Sequence, residues 1–77
     1  MMNNDISPRL ENVFKTTLGI DAVPAGLSQK NCEAWDSVNH LNLILALEAE
    51  FGVAFEPEEI AAMQDLETVK KQLAAKL

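Results

Sequence analysis

Leu10, Val13, Phe14 and Leu18 recur at i, i+3, i+4 and i+8, which is one apolar face of an amphipathic helix. Ser7-Pro8 precedes them as a start signal, with Ser7 as N-cap and Pro8 at the first helical position, and Gly19 is placed to end the helix. From Ile20 to Trp35 the helical period is lost, and Pro24, Gly26, Ser28 and Asn31 interrupt the segment. This predicts an ordered loop of about sixteen residues, long for a compact domain and often functional. Its apolar residues, Ile20, Val23, Leu27 and Trp35, are expected to pin it to the helices.

Asp36 opens a second helix, predicted to run to about Phe51 before Gly52 stops it. Leu43, Ile44, Leu47 and Phe51 form one apolar stripe, and Val38, Leu41 and Leu45 form another on a different side. Asn39, Asn42 and Glu50 lie on an arc between them. An outer helix of a small bundle needs only one such stripe. Two mean either a central helix packed on both sides or a second face kept for something else. A chain this short has little material to cover both, so the second reading is preferred.

Val53-Ala54-Phe55 reads as a short apolar connector, and Glu56-Pro57-Glu58-Glu59 as the acidic first turn of a short helix reaching about Met63. Asp65 then caps a last helix with apolar positions Leu66, Val69, Leu73 and Leu77, and Lys70, Lys71 and Lys76 lie towards its C-terminal end. Nothing reads as a strand. The expected fold is all-α, a small four-helix bundle with three main helices, one short third helix and a long first loop, in a single domain spanning residues 1–77.

The chain has 77 residues. A domain of that size buries only about 60% of the surface its unfolded chain exposes, which leaves little room for an apolar catalytic pocket. A carrying or binding role is therefore favoured over an enzyme. Cys32 is alone, which excludes a disulfide framework or a cysteine metal cluster and makes it a small packing residue. Met1 to Ile6 shows neither a basic region nor an apolar run, so no signal peptide is expected. The longest apolar run, Leu43 to Leu47, is too short to span a bilayer. The expected setting is a monomer in a reducing cytoplasm, with no membrane insertion.

Net charge is −6, and its distribution is informative. Residues 1–30 balance, with Asp5, Glu11 and Asp21 against Arg9, Lys15 and Lys30. Residues 31–69 hold nine acids (Glu33, Asp36, Glu48, Glu50, Glu56, Glu58, Glu59, Asp65, Glu67) and no Lys or Arg. Such a one-sign stretch repels nucleic acid and steers basic partners. Calcium sensing is not indicated, because the Asp-x-Asp-x-Asp-Gly loop it requires is absent.

Asp36-Ser37-Val38 at the start of the second helix is, by itself, an ordinary capping sequence. His40, the only histidine, lies three residues after Ser37, close enough on a helix for a Ser–His nucleophile pair. Such a pair also needs an orienting third group and an oxyanion hole in a shaped pocket, so a solvated surface histidine is expected instead.

The wider context is more specific. The stretch Asp36-Ser37-Val38-Asn39-His40-Leu41-Asn42-Leu43-Ile44-Leu45-Ala46-Leu47-Glu48-Ala49-Glu50-Phe51-Gly52-Val53 resembles the central helix of acyl carrier proteins, whose marks are Asp-Ser-Leu, an aliphatic run, Leu-Glu-x-Glu-Phe and a following acidic helix begun near Pro. Phe55-Glu56-Pro57-Glu58-Glu59-Ile60 fits the last mark, and the resemblance covers about Pro8 to Leu77. It implies a stand-alone bacterial-type carrier in which a phosphopantetheinyl transferase attaches 4′-phosphopantetheine to Ser37. Asp36 would help hold magnesium during that loading. Partner enzymes that activate, transfer or extend acyl groups would dock basic patches on a surface including Val38, Leu41, Leu45 and Glu48. An attached acyl chain would tuck among Leu47, Phe55, Ile60, Met63 and Leu73, which are otherwise simply core.

The chain departs from the family pattern in three places. Asn39 and Asn42 stand where acids are usual, which suggests dedicated partners in a specialised lipid, cell-envelope or secondary-metabolite pathway rather than general fatty acid synthesis. Glu33-Ala34-Trp35 replaces a small, Gly-containing run, with Trp35 expected as a core anchor, and Val38 replaces the usual Leu. Two alternatives stay open. One is an aminoacyl or peptidyl carrier using the same serine chemistry, although its usual Gly-Gly-x-Ser is missing. The other is an unmodified acidic helical adaptor.

Overall fold

A computed structural model of the chain describes residues 7–77, so the reading of Met1 to Ile6 lies outside the described residues. The protein is a mostly helical globule of four helices: α1 (Ser7–Leu18), α2 (Ser37–Phe51), α3 (Pro57–Ala62) and α4 (Leu66–Lys76). No strand occurs among the described residues; the one extended contact is an isolated bridge between Ser28 and Asp65.

Local chemistry sets the helix ends. Gly19 and Gly52 both sit at φ 67°, the left-handed region that a side chain disfavours, and each closes its helix. The N–H of Gly52 donates to the Glu48 carbonyl at 2.9 Å and that of Gly19 to the Lys15 carbonyl at 2.8 Å. Asp36 and Asp65 cap α2 and α4 through side-chain oxygens that accept from Asn39 N–H (2.8 Å) and Thr68 N–H (2.7 Å). At α3 the Glu59 carboxylate reaches back to the Glu56 N–H at 2.7 Å.

α3 ends at Ala62, with Met63 as its C-cap at φ −82°, ψ 62°, in line with the expected end near Met63. Two expectations about helix ends are corrected. α1 already includes Ser7, one residue earlier than the capping pattern places its start. Leu77 does not continue the apolar face of α4; it is the C-cap and 63% exposed, because the chain has run past the core.

The core is one cluster. Leu10, Val13, Phe14 and Leu18 of α1 meet Leu43, Ile44 and Leu47 of α2, and Leu66, Val69 and Leu73 of α4 close it. α1 is also clamped to the end of α2 by Arg9. Its Nε donates to Glu50 Oε2 at 2.8 Å and its Nη2 to the Glu50 carbonyl at 2.6 Å, while its guanidinium lies 4.6 Å from the Phe51 ring centroid.

The loop of residues 20–36 is ordered, and Leu27 and Trp35 are its buried anchors, with Ile20 and Val23 packed at the core's edge. Backbone bonds join it to the α3–α4 connection: Leu66 N–H donates to the Leu27 carbonyl at 2.8 Å and Gln29 N–H to the Gln64 carbonyl at 2.9 Å. Asn31 closes a turn within it, accepting from Ser28 N–H at 2.9 Å and donating to the Gly26 carbonyl at 2.8 Å. A loop so long stays fixed because its backbone groups find partners and its apolar side chains reach the core.

Candidate functional site

The α1-side of α2 is packed, and its opposite face is not. Val38, Leu41 and Leu45 are 69%, 60% and 64% exposed, whereas Leu43 and Leu47 are fully buried. The two stripes therefore divide as inner and outer. Ser37 stands at the first residue of α2, exposed, next to the outer stripe. Its hydroxyl makes no hydrogen bond within the described residues, because Asp36 already supplies the cap. Asp36 is itself exposed and uses Oδ1 for that cap.

A side-chain amide chain fixes the start of α2. Asn39 Nδ2 donates to the Ala34 carbonyl at 2.7 Å, and Asn42 Nδ2 donates to Asn39 Oδ1 at 3.2 Å. This accounts for one departure from the carrier pattern. An acid at position 39 has no N–H to offer the Ala34 carbonyl, so an amide is required to tie the loop to the helix.

His40 overturns the expectation of a solvated surface histidine. It is half-buried, its Nδ1 accepts from Trp35 Nε1–H at 3.0 Å, and its Nε2 lies 2.8 Å from the Ile60 carbonyl. An indole N–H can only donate and a carbonyl can only accept, so the ring is held as the Nε2–H tautomer. Both nitrogens are thereby engaged, and neither is left to activate Ser37. Trp35 is 1% exposed, meets Phe14 edge-on at 5.3 Å and stacks near His40 at 6.2 Å. It is the core anchor expected from its position.

The acids of the middle segment are more occupied than their one-sign run suggests. Among them, Asp36, Glu48, Glu50, Glu59 and Asp65 accept hydrogen bonds from the protein itself. Glu48, expected on the partner surface, is half-buried and takes the Phe55 N–H at 2.9 Å, which holds the α2–α3 connection. Two carboxyls are held below the ordinary carboxylate range. Glu59 is lowered chiefly by the Glu56 N–H and then by Lys76, 2.9 Å away; Asp65 is lowered by the hydroxyl and N–H of Thr68.

Leu47, Phe55, Met63 and Leu73, the residues expected about an acyl chain, all belong to the buried cluster, with Ile60 packed on its edge. A shallow groove of about 360 Å³ lies elsewhere, between α1 and α2, lined by Asn12, Thr16, Ala46 and Ala49 among others. No group of acids, histidines or cysteines among the described residues could hold a metal ion by itself. No described helix is long and apolar enough to cross a membrane.

Sequence reasoning missed the roles of His40 and Asn39. A signal for His40 was present: it precedes Ile44 by four residues and Leu47 by seven, which puts it on the inner stripe. No protein-family model matches the chain, and no curated protein is detectably similar to it.

Proposed function

We propose that this chain is an acyl carrier protein, a non-enzyme that presents acyl groups on a 4′-phosphopantetheine arm attached to Ser37. The observation that carries the reading is the exposed, unengaged hydroxyl of Ser37 beside the exposed apolar stripe of Val38, Leu41 and Leu45. The four-helix arrangement, with a long first loop and a short third helix, is compatible with the carrier bundle that the sequence resembles.

The residues fit such a group. Ser37 offers an oxygen that can be modified without breaking a bond of the fold. The N–H groups of Ser37 and Val38, at the open end of α2, have no acceptor among the described residues and suit a phosphodiester anion. Asp36 Oδ2, not used by the cap, is the atom we assign to magnesium during loading. When bound, the arm supplies a thiol that holds acyl groups as thioesters, and the chain's own residues supply only attachment, exposure and a docking face. That face we assign to Val38, Leu41 and Leu45, read by a phosphopantetheinyl transferase and by acyl-handling enzymes of a specialised lipid, cell-envelope or secondary-metabolite pathway. Leu47, Phe55, Ile60, Met63 and Leu73 are the side chains a buried acyl chain would meet.

The test is intact mass after incubation with coenzyme A, magnesium and a broad-specificity phosphopantetheinyl transferase. A gain of one phosphopantetheine, absent in Ser37→Ala, is expected. A folded chain that gains nothing, beside a working control carrier, overturns the reading in favour of an unmodified adaptor. Competing amino-acid and fatty-acid loading assays on the modified protein separate an acyl carrier from a peptidyl one.

A further inference from the structure

We propose that His40 is a positioning residue whose single imidazole ties α3 to the turn that carries Ser37, so that a displacement of either is felt at the other. Trp35, Asp36 and Ser37 are consecutive, and the Trp35–His40 bond spans them. One ring nitrogen therefore closes a loop around Ser37, and the other reaches across to α3.

Each end of this relay has little to replace it. α3 has six residues, none of them buried. It is held by the Glu56–Glu59 contact, by the Glu59–Lys76 ion pair at 2.9 Å, by Ile60 at the core's edge, and by the His40 bond to the Ile60 carbonyl. Carbonyls in the last turn of a helix lack intrahelical donors, and among the described residues that of Ile60 has only the Met63 N–H, at 3.2 Å, besides the imidazole. At the other end, the Trp35 indole is 1% exposed and donates to no other described group. Losing His40 would leave a buried N–H unpaired. If α3 moves and His40 follows, the Trp35 bond is strained; if His40 stays, the Ile60 carbonyl is released. The required tautomer makes both bonds depend on one proton position.

The inference rests on the carrier reading only for what the coupling serves; the coupling itself is measurable without any modification of Ser37. Two variants interrupt the relay. His40→Leu keeps bulk but has no ring nitrogen, and Trp35→Phe keeps a ring on Phe14 but has no N–H. Hydrogen exchange followed by NMR is expected to show α3 amides exchanging roughly three- to tenfold faster in both, the effect of losing one hydrogen bond of ordinary net strength. In His40→Leu the amides of α1 and α4 should keep their wild-type rates; in Trp35→Phe, which also thins the packing on Phe14, α3 should still be accelerated more than α1, and in both the Ser37 and Val38 amide resonances should shift.

Coupling is reciprocal, so loosening α3 from its other side must register at the turn. Lys76→Ala removes the ion pair with Glu59 and should shift the indole N–H resonance of Trp35, the chain's only tryptophan. An unmoved indole and Ser37 amide in Lys76→Ala overturn the proposal. Equal acceleration across all four helices in His40→Leu and Trp35→Phe also overturns it, because His40 would then be ordinary packing. In parallel, the transferase assay is run on each protein. Wild type that is never loaded removes the carrier reading and leaves the coupling to the exchange data, whereas normal loading with no coupling removes the coupling alone.

Discussion

The side-chain amide of Asn39 donates to the backbone carbonyl of Ala34 at 2.7 Å, joining the first turn of α2 to the loop before it. Asn39→Asp deletes that donor. A carboxylate at this position also gains from the helix dipole, by about 0.3–1 kcal/mol, but it faces the Asp36 carboxylate across the same turn. Loss of a hydrogen bond to a part-buried carbonyl weighs about 1–2 kcal/mol. The loss wins, and Asn39→Asp should lower unfolding stability by roughly 1 kcal/mol in urea titrations. A variant as stable as wild type would show that the amide link does not outweigh the dipole gain.

Asp36 caps α2 and, on the carrier reading, has a second, separable duty in loading. Asp36→Ala removes the cap and should cost about 1 kcal/mol of stability. Asp36→Asn can still accept from Asn39 N–H, so its stability should stay near wild type. On the carrier reading its loading by a transferase should slow by roughly tenfold or more, the scale of weakening a metal site. Unfolding curves and loading rates on the same two variants separate the duties; equal loading of wild type and Asp36→Asn would remove the metal role.

The two faces of α2 predict opposite outcomes for the same chemical change. Leu47→Ala empties a fully buried position and should cost about 2–5 kcal/mol. Leu45→Ala, at a site 64% exposed, should change stability by no more than about 0.5 kcal/mol. On the carrier reading it should instead raise the KM of the transferase for the chain. Loss of stability in Leu45→Ala comparable to Leu47→Ala would mean that the outer stripe is covered.

Acid should unfold the protein partly through Glu59 and Asp65. Both carboxyls are lowered in the folded state, so the stability they contribute is complete above the ordinary carboxylate range and is lost as pH falls through their lowered values. Thermal midpoints followed by circular dichroism should show no effect of these two groups down to about pH 5 and a decline below it. Glu59→Gln and Asp65→Asn should each flatten that decline, and an unchanged acid limb in both would contradict the assignment.

Helix positions were legible because each is marked locally. Capping Asp36 and Asp65, terminating Gly19 and Gly52, and the spacing of Leu10 to Leu18 all act within a turn or two. The division of α2 into two stripes was legible for the same reason. What was not legible joins residues far apart in the chain. Arg9 meets Glu50 across 41 positions and His40 meets Ile60 across 20, contacts that exist only once helices have been set side by side. The acids of residues 31–69 misled in a related way: a count records charge, while hydrogen bonding to Thr68, Asn39 or Phe55 depends on where each side chain ends. Leu77 continued a spacing that the core was no longer there to meet.

Because the inner stripe of α2 carries the packing and the outer stripe is mostly exposed, architecture and, on the carrier reading, address occupy opposite sides of one rod. On that reading an engineer could exchange positions 38, 41 and 45 among good helix formers and obtain a series of proteins of nearly equal stability that differ in whom they meet. In such a series any change in traffic would report recognition alone, uncontaminated by folding.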